Sequence, residues 1–158
     1  MSEAPSEQET NAWHRRMAVM TNNRAWALAE QKTRRPEEDA DMLNTAHASL
    51  YHWSKVGTAQ NVARARMLLG QVQALLGHGP AAMDNAQAAF DFVTGHEPEP
   101  WELAFAHAVL ANAAAAAGLA DQHRLNYETA RSLGEQLQVP EEREIFSCTL
   151  AVVPRPLD

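Results

Sequence analysis

Leu69-Gly70-Gln71-Val72-Gln73-Ala74-Leu75-Leu76-Gly77 and Leu110-Ala111-Asn112-Ala113-Ala114-Ala115-Ala116-Ala117-Gly118 stand 41 residues apart and share one plan. Each begins with a leucine beside a small residue and ends on a glycine. A third copy of the opening occurs at Leu28-Ala29, another 41 residues upstream. The same shift superposes Ala48, Ala89 and Ala130. A leucine next to a small residue lets two helices approach closely, and an alanine in the partner helix receives it. Self-similarity at a fixed period of this length marks stacked supersecondary units, so the spacing predicts three helical hairpins.

Working outward, proline and glycine place the boundaries. Pro36-Glu37-Glu38-Asp39, Pro100-Trp101-Glu102 and Pro140-Glu141-Glu142 each put a proline before carboxylates. Proline at the first helical position wastes no hydrogen bond, and acids there meet the positive end of the helix dipole. Gly79-Pro80 is a fourth start, and Gly57-Thr58 joins a stop to an N-cap. The predicted helices span 10–34, 37–56, 59–77, 80–94, 100–117, 120–137 and 140–151. Residues 1–9 read as a disordered polar tail, 10–153 as a single helical-repeat domain and 154–158 as a C-terminal tail. The last helix, with Ile145, Leu150, Val152 and Val153, is expected to cap the open apolar end of the array. Should it not, those residues form a self-association surface and a homodimer follows.

Composition agrees with an all-α fold. Thirty alanines stand against nine valines and one isoleucine, a poor supply of strand formers. The alanine run 113–117 leaves its helix without bulk on any side, which suits the buried centre of an array. Thirteen basic against 20 acidic side chains give a charge of −7, which argues against a nucleic-acid partner. The acidic, unperiodic N-terminus is not a signal peptide, and no stretch approaches a membrane span. A cytoplasmic, bacterial-type protein is expected. Cys148, the one cysteine, excludes an intramolecular disulfide and a thiolate cluster; its apolar surroundings predict a buried, inert thiol.

Leu69-Gly70, Gly77, Ala82, Ala86 and Ala89, followed by Leu110-Ala111, Gly118, Tyr127 and Ala130, fall at the spacings of a tetratricopeptide repeat. The chain resembles a degenerate array of that family over residues 15–138, with turns lengthened from the family's period of about 34 residues. A closer resemblance, carried by Asn23-Arg24-Ala25-Trp26-Ala27-Leu28, by Ala46-His47-Ala48-Ser49-Leu50-Tyr51-His52-Trp53 and by Val56-Gly57, is to a group of small uncharacterised bacterial proteins, and it implies no activity. The tetratricopeptide resemblance implies a right-handed array whose concave face is lined by the first helix of each hairpin. That rule places Asn23, Trp26 and Glu30, then Arg64, Met67 and Gln71, then Phe105, Ala108 and Asn112 along a peptide-binding groove. Amides and a guanidinium around an aromatic suit the clamping of an extended peptide, while the competing reading makes Trp26, Met67 and Phe105 plain core. The implied function is a protein- or peptide-binding adaptor or regulator, without catalysis or cofactor.

The rival is a small enzyme or metal- or ligand-binding protein, with a site between hairpins around His47, His52, Glu102 and His107. Helical ligands to one ion normally sit three or four residues apart, whereas His47 and His52 are five apart, as are Glu102 and His107. The bland reading makes His47, Tyr51 and Trp53 packing residues at an inter-helix seam. Ser49 sits near His47 and His52 in sequence, but neither a nucleophile elbow nor a phosphate-binding glycine loop is present. His14-Arg15-Arg16 reads as a solvated helix face.

Overall fold

Seven α-helices and no strands make up residues 4–157, the part of the chain described by this computed structural model. They are α1 (Glu7–Ala29), α2 (Pro36–Val56), α3 (Ala59–Leu75), α4 (Gly79–Thr94), α5 (Pro100–Ala116), α6 (Ala120–Glu135) and α7 (Pro140–Ala151). Four begin with proline in the first turn, and Thr58 caps α3 by accepting from the Asn61 amide at 3.2 Å. No helix among these residues is long and apolar enough to cross a membrane.

The N-terminal boundary differs from expectation. Helix α1 begins at Glu7, inside the segment read as a tail over 1–9, because Ser6 and Glu9 form a capping box. The Glu9 amide donates to Ser6 Oγ at 3.2 Å, and the Ser6 amide donates to Glu9 Oε2 at 2.8 Å. These bonds satisfy donors that a helix start otherwise leaves open, and the Ser6 hydroxyl, donating to Glu9 Oε2 at 2.7 Å, together with the Ser6 amide holds the Glu9 carboxyl below its ordinary pKa. Residues 1–3 of that tail, and Asp158 of the C-terminal one, lie outside the described residues. Pro154 within the second tail is held: its carbonyl accepts from His123 Nε2 at 2.7 Å.

Helices pack in consecutive pairs, α1 with α2, α3 with α4 and α5 with α6. The odd-numbered helices also pack on one another in order, α1 on α3, α3 on α5 and α5 on α7. Helix α7 rests on both α5 and α6, as α5 rests on both α3 and α4. Phe146 and Val153 are buried and Leu150 half-buried, while Ile145 remains 55% exposed. Helix α5 packs on α3, α4, α6 and α7 and is buried almost all round from Ala104 to Ala114, which its alanines permit by leaving room for neighbours on every side.

Small residues set the closest approaches. A Cβ on Gly70 would lie 3.0 Å from the Ala86 amide nitrogen of α4, and one on Gly79 only 2.6 Å from the Ala116 carbonyl oxygen of α5. Gly77 and Gly118 have φ of 76° and 73° and close α3 and α5 identically. In each case the amide after the glycine reaches back five residues, His78 to the Gln73 carbonyl at 2.8 Å and Leu119 to Ala114 at 2.9 Å.

The register has one slip. Ala89 and Ala130 are buried contact positions, but Ala48 is only half-buried. On α2 the buried Met42, Ala46 and Ser49 precede Ala82, Ala86 and Ala89 by 40 residues rather than 41. Ser49 also spends its hydroxyl on the Ala18 carbonyl of α1, at 3.2 Å, a contact the later pairs lack.

Candidate functional site

A cavity of about 500 Å³ opens where α1, α3, α5 and α7 converge. Helix α1 contributes Asn22 and Trp26, and its C-cap residue Glu30 follows at the same four-residue interval, so all three lie on one side. Helix α3 contributes Arg64 and Met67, α5 Trp101 and Phe105, and α7 Glu142, Ile145 and Thr149. The volume lies in the usual range for ligand pockets.

The aromatic floor is built edge to face. Phe105 meets Trp26 at 6.2 Å and 88°, Trp101 at 6.0 Å and 82°, and Phe146 at 5.5 Å and 75°. These are the favoured orientations for aromatic quadrupoles, and they fix three helices relative to one another. Arg64 Nε donates to Glu102 Oε1 at 2.9 Å, and its guanidinium carbon lies 5.1 Å from the centre of the Trp101 ring. Glu102 is only 4% exposed, so Arg64 balances a charge that would otherwise be stranded in the protein. Glu30 and Glu142 have no cationic side chain within ion-pair distance among the described residues. Partial burial pushes the Glu30 carboxyl above its ordinary pKa, as expected for a carboxylate losing water without gaining a counter-charge.

Of the groove residues expected from sequence, Trp26, Glu30, Arg64, Met67 and Phe105 line the cavity. Met67 and Phe105 are also core, being 4% and 7% exposed. Asn23 points to solvent and accepts from Asn22 Nδ2 at 3.2 Å, so Asn22 takes its place. Ala108 is fully buried. Gln71 and Asn112 are buried too and bond each other, Asn112 Nδ2 donating to Gln71 Oε1 at 3.0 Å, which removes both from any peptide backbone. Sequence reasoning missed Trp101, Glu142, Ile145 and Thr149. Carrying the 41-residue shift one helix further would have found part of this set, since Ala108 then falls on Thr149 and Trp101 on Glu142.

The rival constellation is dispersed. His47 is exposed and does not pack at a seam, whereas Tyr51, also exposed and with the Lys55 ammonium 5.0 Å from its ring centre, still sets its ring 6.1 Å from that of His14 on α1. His52 is the buried member, and its partner is His14 of α1, with their Nδ1 atoms 2.7 Å apart. His14 is therefore half-buried against α2 rather than part of a solvated basic face. Such a contact holds one proton between two rings, and burial followed by the His14 charge lowers the His52 pKa. The Trp13 edge meets His52 at 5.5 Å. Glu102 is committed to Arg64, and His107 shares a hydrogen bond of 2.9 Å with Asn126 and an edge contact with Phe90. No group of three or more metal-ligating side chains comes together among the described residues. Cys148 is exposed, contrary to the buried thiol expected: α7 turns Phe146 and Thr149 inward, which sends Ser147 and Cys148 outward.

No protein-family model, no curated protein and no solved structure matches the chain.

Proposed function

We propose that the chain is a tetratricopeptide-like repeat protein of the cytoplasm, a right-handed array of antiparallel hairpins that binds a peptide segment of a protein partner and performs no chemistry itself. The observation that carries the reading is the cavity shared by α1, α3, α5 and α7. Alternate helices of a stacked array line one side of it, and here those helices supply an aromatic floor with a charged rim. Peptide-binding grooves have this composition, an apolar pocket for one side chain among polar groups that orient the rest.

A photo-crosslinking amino acid tests the reading at two exposed positions, Ile145 at the cavity and Leu125 on α6, 68% exposed and outside it. Expressed in the native host, the Ile145 variant is expected to trap a defined protein and the Leu125 variant not to trap it. Equal trapping from both, or trapping from Leu125 alone, overturns the proposal. Arg64→Ala is a poor probe, because it strands the buried Glu102 carboxylate and is expected to destabilise the fold.

A further inference from the structure

We propose that the side chain received by this cavity is a cation on an apolar stem, a lysine or arginine of the bound peptide. The inference rests on the peptide-binding reading above and names what that peptide must present.

Three observations point the same way. First, the charges do not cancel. The cavity is lined by one cation, Arg64, whose charge is already taken by Glu102 behind it. Glu30 and Glu142 are left as two carboxylates on the rim, contributed by helices at opposite ends of the row. An anionic side chain entering there would meet both of them with no free cation to receive it. Second, Trp26, Trp101 and Phe105 line the same cavity as these carboxylates. Aromatic faces attract a cation and also cover an alkyl stem, whereas a purely apolar guest would leave the carboxylates partly dehydrated and unpaired. Arg64 already uses this chemistry against Trp101. Third, Thr149 is among the residues that line the cavity, and its hydroxyl, buried within a residue 1% exposed, has no hydrogen-bond partner among the described residues. A hydroxyl oxygen kept dry and unpaired costs roughly 1–3 kcal/mol, and an N–H donor of a guest relieves it. Ammonium and guanidinium groups bring such donors; carboxylate and hydrocarbon do not.

The test uses the full chain and a short blocked peptide with one lysine between two leucines. Copies carrying arginine, norleucine or glutamate in place of that lysine, and free butylammonium, complete the set. Binding is read by calorimetry. The lysine and arginine peptides are expected to bind, to weaken as salt rises, and to weaken by about tenfold in Glu30→Gln combined with Glu142→Gln. Glu30→Gln removes an unpaired rim charge and Glu142→Gln a carboxylate of the first turn of α7, so the melting temperature is expected to fall by only about a few degrees, and a fold still intact at the titration temperature ties any lost affinity to the cavity. Norleucine binding as tightly as lysine overturns the cation while leaving the groove intact. Tighter binding of the glutamate peptide overturns it as well. Butylammonium matching the peptide overturns the peptide as its source. If no peptide binds while the Ile145 crosslinker still traps a protein, the cation proposal alone falls; if the crosslinker also traps none, both fall.

Discussion

The second and third helix pairs repeat each other residue for residue, and the first pair does not. All four helix boundaries of α3 and α4 recur in α5 and α6 after 41 residues, from Ala59 to Pro100, Leu75 to Ala116, Gly79 to Ala120 and Thr94 to Glu135. No boundary of α1 or α2 recurs in α3 or α4 at that shift, and both are longer, 23 and 21 residues against 17 and 16. The difference follows from what each pair must fit between. Inside the row, close backbone approaches at Gly70 and Gly79 leave no room for a larger residue. At the end of the row α1 has a neighbour on one side only. There Arg34 does the work that Gly77 and Gly118 do elsewhere: its Nη1 donates to the Gln31 and Leu28 carbonyls at 2.9 and 3.4 Å, and its Nε is anchored on Asp39 at 2.6 Å. A side-chain cap needs no left-handed residue, so the connection is free to change length.

The sharpest way to break this comparison is at Gly79. Gly79→Ala drives a methyl into the Ala116–Ala117 backbone and is expected to cost about 2–3 kcal/mol in urea unfolding. Its equivalent, Ala120, is already alanine and exposed, and Ala120→Gly is expected to cost less than about 1 kcal/mol. Equal losses would mean that position within the row does not set the packing. A smaller effect tests the turns. Gly77→Ala and Gly118→Ala have open space for the new methyl but force it into the left-handed region, so each is expected to cost about 1 kcal/mol, and the same amount at both sites. Arg34→Ala is expected to cost a similar amount of about 1 kcal/mol, through carbonyls that lose their donor. A clear difference between the two glycines would break their equivalence.

The smallest expected effect belongs to the seam peculiar to the first pair. His52 has a lowered pKa in the folded protein, so the unfolded chain binds the proton more readily. Stability from this group is complete above the unfolded value of about 6.5 and is lost as pH falls through it towards the lower folded value. The melting temperature is expected to drop between about pH 7 and 5.5 more in the parent protein than in His52→Phe. An identical drop in both would show that the His14–His52 contact carries no linkage.

Most of the fold was legible because punctuation and burial obey the same local chemistry. Proline before acids marks α2, α5 and α7, and α7 spans 140–151 as expected. Where legibility failed, the cause is specific. Ser6-Glu7-Gln8-Glu9 carries the spacing of a capping box, but its polarity reads as a tail. The one-residue slip on α2 is hidden because Ala48 matches Ala89 in residue type, while the buried counterpart is the neighbouring Ser49. At the cavity, the rule implied by the tetratricopeptide resemblance, carried through the 41-residue register, finds Trp26, Glu30, Arg64, Met67 and Phe105. It does not find that Asn112 donates to Gln71, or that His14 meets His52, since those are contacts between helices. Thr149 and Glu142 escaped because the last helix was read as a lid for the array rather than as a wall of the cavity.

The four tryptophans allow the most direct test of the central claim, that the cavity between α1, α3, α5 and α7 is where a peptide binds. Trp26 and Trp101 line it, while Trp13 and Trp53 belong to the first pair and lie outside it. In protein labelled with fluorotryptophan and assigned by single substitution to phenylalanine, fluorine NMR follows all four during titration with the lysine peptide. The account predicts that the Trp26 and Trp101 resonances shift together and saturate, with Trp13 and Trp53 unmoved. Shifts at Trp13 and Trp53 with none at Trp26 and Trp101, or no shift at any of the four, would contradict it.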